Sequence, residues 1–154
     1  MVKWISQQPP KLRVQVRFLT GAPLSEMKFF GPKKKKVLVA DDDVVERRAV
    51  ARVLARKGWD VVEAGDGGPA VRLALEERPD LILLGNNLPL LSGGTVVAIL
   101  RSTAKTAAVP VIIVSSNDRM ADVEDCLSQG ANDYVIKPFQ TDVLLAKIEK
   151  FLGA

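Results

Sequence analysis

The run Val37-Leu38-Val39-Ala40-Asp41-Asp42-Asp43 decides the fold. Four apolar residues in succession, with no polar alternation, describe a strand covered on both faces. The abrupt change to three carboxylates marks the point where that strand leaves the core. Leu81-Ile82-Leu83-Leu84 and Val111-Ile112-Ile113-Val114 share the continuous apolar character. With two weaker runs they predict five strands: Val37–Ala40, Asp60–Glu63, Leu81–Leu84, Val111–Val114 and Asp133–Ile136. Strands buried on both sides belong to parallel sheets, whose neighbours are joined by helical crossovers.

Segments of helical length and spacing lie where those crossovers are needed. The first, Val44 to Lys57, sets Ala49, Val50, Val53 and Leu54 on one face and Arg47, Arg48, Arg52 and Arg56 largely off it, and it stops at Gly58. The second starts near Gly68-Pro69 and ends before Pro79. The third, Gly94 to Arg101, is opposed by its own composition, since glycine and the β-branched Thr95, Val96 and Val97 are poor helix formers. The fourth runs from Arg119 to Ser128, and the fifth from Thr141 to Leu152 on a stripe of Leu144, Leu145, Ile148 and Leu152. This alternation predicts an α/β, open three-layer sandwich with right-handed crossovers. In such a sheet, ligand chemistry collects beyond the carboxyl ends of the strands.

Composition removes several classes of function. The 154 residues contain no histidine and a single cysteine, Cys126. Ser-His-Asp hydrolysis, histidine-ligated metals, zinc clusters and an intramolecular disulfide all go with them. No apolar run approaches the roughly 18 residues of a membrane span, and the opening segment lacks a secretory pattern. A soluble, cytoplasmic, non-enzymatic protein is the expectation. The net charge of +4 invites a nucleic-acid reading, but nine of the 22 cations and only one of the 18 acids fall in residues 1–36. The body is therefore acidic, which argues against a phosphate-binding face. The run Lys33 to Lys36 is read as a solvated cap on the first strand in preference to an anion-binding patch.

Residues 1–36 show no clean period and hold three prolines before position 24, so they are read as a basic, disordered leader preceding a domain over 37–152. An alternative is a mis-set start. Val16-Arg17-Phe18 can be encoded by the T-loop sequence of a transfer RNA gene, and Met27 would then be the true beginning.

Three strand ends carry chemistry. Adjacent carboxylates at Asp41-Asp42-Asp43 repel, and relief comes from Mg²⁺ or from capping the next helix, with Asp43 as the cap and Asp41 or Asp42 towards the pocket. The fourth strand ends in Ser115-Ser116. The last runs into Lys137-Pro138, where proline favours an extended lysine that can reach across to the acids.

Val37–Asp43, Leu88-Pro89-Leu90-Leu91-Ser92-Gly93, Pro110–Ser116 and Gly130–Phe139 together resemble the receiver domain of two-component response regulators. The likeness covers 37–152 in order. It implies a flavodoxin-like, CheY-like (βα)5 fold with strand order 2-1-3-4-5, Mg²⁺-dependent aspartyl phosphorylation within a phosphorelay, and output through helix 4, strand 5 and helix 5. Position by position, Asp41 and Asp42 match the metal-binding acidic pair. Ser115 matches the hydroxyl that bonds the phosphoryl group, Lys137 the lysine that pairs with it, and Tyr134 the rotameric switch.

The family's phosphoacceptor does not match. Counting back four residues from Pro89 or eight from Gly93 reaches Gly85. Asn86 and Asn87 are amides and form no acyl phosphate, and Asp80 lies at the far end of the strand. Glycine supplies neither nucleophile nor metal ligand. The resemblance therefore points to an atypical receiver (a pseudo-receiver) with weak Mg²⁺ binding at Asp41, Asp42 and the carbonyl of Asn87. Lys137 is then expected to pair directly with Asp41 or Asp42. Ser115 and Tyr134 either serve a switch set by a partner or persist through packing. The expected partners are a sensor kinase or other signalling protein on the helix 4–strand 5–helix 5 face, or a second copy, with Met120, Val123 and Leu127 either part of that face or core. Cys126 is read as a buried apolar residue. The alternatives are phosphotransfer onto Asp41 or Asp42, and a small anion held beside Lys137 and Ser115. Only Gly153 and Ala154 follow Leu152, which fits a stand-alone receiver or a piece of a longer regulator.

Overall fold

The computed structural model describes residues 33–153. Five strands, β1 (Lys36–Ala40), β2 (Asp60–Ala64), β3 (Leu81–Gly85), β4 (Val111–Ser115) and β5 (Asp133–Ile136), alternate with five helices. These are α1 (Val44–Arg56), α2 (Gly67–Glu77), α3 (Gly93–Arg101), α4 (Met120–Gln129) and α5 (Thr141–Leu152). The strands form one parallel sheet of order β2-β1-β3-β4-β5.

Strict alternation along the central strands builds two cores. Leu38, Ile82, Leu84 and Ile113 face α2, α3 and α4, where they meet Ala70, Val97 and Cys126. Val37, Val39, Leu83 and Ile112 face α1 and α5, where they meet Leu54, Leu144 and Ile148. Both faces of the sheet are covered, which explains why the interiors of these strands carry no polar residue.

The third helix forms despite its composition. The Ser92 hydroxyl accepts the Thr95 N–H at 3.2 Å, capping the helix. Val96, Val97 and Leu100 are fully buried, so tertiary burial overrides propensity.

Two expectations need correction. The sheet-facing line of α1 is Arg47, Ala51 and Leu54, while Ala49 is exposed and Val50 and Val53 are half-buried. The helix turns this way because Arg47, expected to lie off the buried face, donates to the Asp41 carbonyl at 2.9 Å and to Glu63 at 3.0 Å. The first strand also begins one residue earlier than expected, at Lys36. The Lys36 N–H reaches Asp80 at 2.8 Å and its ammonium reaches Glu77 at 2.9 Å. The leader proper and the Met27 start fall on residues outside those described.

Arg101 holds the lower half of the α3–β4 crossover. Its guanidinium donates to the carbonyls of Thr106, Ala107, Val109 and Gly130 and to Asn132 Oδ1, at 2.7–3.3 Å. Gly130 sits at φ +119°, and a Cβ there would come within 2.7 Å of Arg101 Cγ, so both backbone freedom and space require glycine. Arg101→Ala should destabilise the fold by about 2 kcal/mol, because several partly buried carbonyls lose their donor at once. A urea midpoint within experimental error of the wild type would contradict this role.

Candidate functional site

The parallel register brings the predicted site residues to one edge. Ala40 pairs with Leu84, which sets Asp41 beside Gly85, and Ser115 pairs with Ile136, which sets Lys137 next along β5. The Lys137 N–H donates to the Ser115 carbonyl at 2.8 Å. Here the chain opens a cleft of about 700 Å³ lined by Asp41, Asp42, Gly85, Asn87, Ser115 and Lys137.

The acidic triplet divides its work. Asp43 caps α1, its Oδ1 accepting the N–H groups of Val45 at 2.9 Å and Glu46 at 3.0 Å. Asp41 is buried, and its Oδ1 accepts the Asp43 N–H at 2.9 Å. Asp42 is exposed on the cleft rim.

Lys137 crosses from the other side of the sheet. Its ammonium lies 2.8 Å from Asp41 Oδ2 and 2.6 Å from Glu46 Oε1. Its second partner is thus Glu46 and not Asp42. Burial pushes the Lys137 pKa down, but the hydrogen bonds and charges of Asp41 and Glu46 outweigh it and leave the group above the ordinary lysine value. With the ammonium matched by two carboxylates, the described residues lining the cleft offer no unmatched positive charge to an anion beside Ser115.

Glu46 is a site residue that the sequence analysis missed. Asp43-Val44-Val45-Glu46 has the spacing of a capping box, in which the glutamate would turn back to the cap N–H. That N–H is already taken by Asp41, so the Glu46 carboxylate is free to meet Lys137. The second missed residue is Asn117. Its N–H donates to Ser115 Oγ at 3.1 Å, and its carbonyl accepts the Tyr134 hydroxyl at 2.8 Å. Ser115 and Tyr134 are therefore linked through one loop residue, with the Tyr134 ring packed against the α2–α3–α4 core.

Gly85 closes β3, buried beside Ala40, Asp41 and Leu88 and lining the cleft. A Cβ built there would find the Ala40 carbonyl oxygen at 3.4 Å and Leu88 Cδ2 at 3.8 Å, which are ordinary contacts. The position thus has room for a side chain. Asn86 is half-buried, with Oδ1 3.6 Å from the Cys126 thiol, and Asn87 is exposed on the rim. Cys126 is 2% exposed, and burial, then the charges of Asp125 and Asp122, push its thiol pKa up.

The side chains give Mg²⁺ a reduced ligand set. The ion wants six oxygen ligands, usually one or two carboxylates with waters. Both oxygens of Asp41 are engaged, by Lys137 and by the Asp43 N–H, and Gly85 adds no side chain, so of the expected acidic pair Asp42 on the rim is the carboxylate that would hold it. Among the described residues no group of three or more acids, cysteines or histidines is gathered to hold a metal.

Comparison with known proteins agrees with this architecture. The family profile "Response regulator receiver domain" matches residues 37–149. PrrA, a transcriptional regulatory protein of Mycobacterium tuberculosis, is 39% identical over 122 residues, covering 79% of this chain and 52% of PrrA. PilH of Pseudomonas aeruginosa is 36% identical over 118 residues, covering 77% of this chain and 98% of PilH. The chain thus spans about half the length of PrrA and nearly all of PilH. The receiver domain of the sensor histidine kinase PA1611 from Pseudomonas aeruginosa, solved with a magnesium ion in its active site cleft, superposes with a TM-score of 0.73 at 31% identity over 79% of this chain and 100% of that one. Chemotaxis protein CheY4 of Vibrio cholerae gives 0.74 at 26% identity over 77% of this chain and 99% of its own.

The raised pKa of Lys137 sets the sign of a pH effect. A cation stabilised in the fold contributes fully below its unfolded pKa of about 10.4 and loses that contribution as pH rises through the folded value. Lys137→Met should therefore lower the thermal midpoint at about pH 8, and the gap to the wild type should narrow as pH rises above the ordinary lysine value of about 10.4. A gap that stays constant across this range would show that the ammonium contributes nothing through its charge.

Proposed function

This chain belongs to the response regulator receiver domain family, and we propose that it is a member that acts by phosphorylation-independent protein contact. Gly85 carries this reading. It occupies the carboxyl end of β3, beside Asp41 and facing the cleft that Ser115 and Lys137 complete. An aspartyl phosphate needs a carboxylate nucleophile at that point and a metal to neutralise the phosphoryl oxygens. The residues offer no nucleophile there and a poor cation site, so Mg²⁺ binds weakly. Lys137 is bound to Asp41 and Glu46 instead of awaiting phosphate.

The switch elements are held in one arrangement. Tyr134 is fixed through its hydroxyl to Asn117, which is itself tied to Ser115, so the state normally chosen by phosphate is set by local bonding or by a partner. The partner is a sensor kinase, another signalling protein or a second copy. It meets the α4–β5–α5 face, where Met120, Leu127 and Ile136 are 67%, 41% and 44% exposed. The module is a cytoplasmic binding protein without catalysis of its own. Among the described residues no helix is long and apolar enough to cross a membrane.

Incubation with acetyl phosphate and Mg²⁺ followed by intact mass measurement tests the proposal. The wild type should gain no phosphoryl mass, and Gly85→Asp, for which the structure has space, should gain one. A phosphoryl adduct on the wild type, mapped to Asp41 or Asp42, would replace this reading with phosphotransfer through the acidic pair.

A further inference from the structure

Charge is segregated between two helices. Helix α1 carries Arg47, Arg48, Arg52 and Arg56 against one acid, Glu46. Helix α4 carries Asp122, Glu124 and Asp125 and no cation. Arg47 and Arg48 share the single carboxylate of Glu63, and among the described residues Arg52 and Arg56 pair with no acid. Glu124 and Asp125 likewise pair with no cation there, while Asp122 is held by Arg119 and Asn117. Leu54 of α1 packs into one core and Cys126 of α4 into the other, so the two helices lie on opposite faces of the sheet and cannot meet within one chain.

Both helices also leave apolar surface uncovered. Helix α1 buries Ala51 and Leu54, and α4 buries Cys126 alone. Ala49, Arg52 and Ala55 are exposed on one side of α1, and Met120, Glu124 and Leu127 on one side of α4. Each face thus mixes apolar groups with charge of one sign. Pairing like with like, α1 on α1 or α4 on α4, sets equal charges together and is repulsive. Pairing α1 with α4 sets arginines against carboxylates, the geometry that guanidinium recognition suits best. The spacing agrees for antiparallel helices, since three steps separate Ala49 from Arg52 and Leu127 from Glu124.

We propose that α4 of one copy docks antiparallel on α1 of a second copy, with Glu124 against Arg52, Leu127 over Ala49 and Met120 over Ala55. Asp125 adds a second carboxylate beside the arginines. The proposal rests on the assignment of α4 to a partner-binding face and names that partner. Because the two patches differ, the contact is heterologous. Each pair keeps a free α1 at one end and a free α4 at the other, so copies add head to tail. Two single-helix faces bury less than about 1,200 Å², which makes the association weak and sensitive to salt.

Amide NMR of the full chain tests this. As protein concentration rises at low salt, the amides of α1 and α4 should shift together, and added salt should reverse the shifts. Arg52→Gln with Arg56→Gln, and separately Glu124→Gln with Asp125→Asn, should each weaken self-association about tenfold, the span of two exposed ion pairs. All four side chains are exposed, so the fold tolerates these changes. Mixing the ¹⁵N-labelled α4 variant with the unlabelled α1 variant should restore the contact. Shifts should then appear at α1 of the labelled chain and not at its α4, and saturate at a 1:1 complex. Spectra independent of concentration, an association indifferent to salt, loss in the α4 variant but not in the α1 variant, or no contact on mixing would each overturn the proposal. None of these outcomes touches the phosphodonor labelling that tests the proposed function.

Discussion

The contact on which the site depends is the ammonium of Lys137 held between Asp41 and Glu46. It ties the end of β5 to the end of β1 and to the first turn of α1, three elements far apart in the chain. A lysine 18% exposed in its side chain is costly to bury unless its charge is matched, and two carboxylates match it. That closure answers a problem set by the fold. A parallel sheet of order β2-β1-β3-β4-β5 delivers the ends of β1, β3, β4 and β5 to one edge, where acids, a hydroxyl and a cation meet. With glycine at the end of β3, the cation must find its balance among the groups that remain.

The same absence bears on the coupling across the sheet. Ser115, Asn117 and Tyr134 form a continuous hydrogen-bonded path from the cleft to the α4–β5 surface. Such a path transmits a signal only if one end has two states and something chooses between them. On the reading proposed above, Gly85 does not make that choice and selection passes to whatever binds the surface.

Much of the fold was legible in the residues because the central strands are covered on both sides. Continuous apolar runs can be read without knowing the partners, and they placed the three central strands to within a residue, as the two weaker runs did the edge strands. The carboxyl-edge position of Asp41, Ser115 and Lys137 followed from the strand ends, and that of Gly85 from the count within the family resemblance. What was hidden depends on contacts distant in sequence. The rotation of α1 turns on Arg47 finding the Asp41 carbonyl, which no periodicity records. Glu46 carries the spacing of a capping box and was lost among helix-terminal signals. Asn117 acts through its backbone, so its side-chain chemistry gave no hint. Met120 and Leu127, whose helical spacing fits a core stripe equally well, are exposed, because α4 buries Cys126 instead.

The most direct measurement is the amide spectrum of ¹⁵N-labelled protein titrated with Mg²⁺ and then with beryllofluoride, a mimic of the phosphoryl group. If the site is closed by its own lysine, the resonances of Ser115, Asn117 and Tyr134 stay in place through both additions, with only weak, unsaturated shifts at Asp41 and Asp42. Saturable displacement of those resonances at millimolar Mg²⁺ with the mimic present would contradict it, and would mean that the edge still receives phosphate.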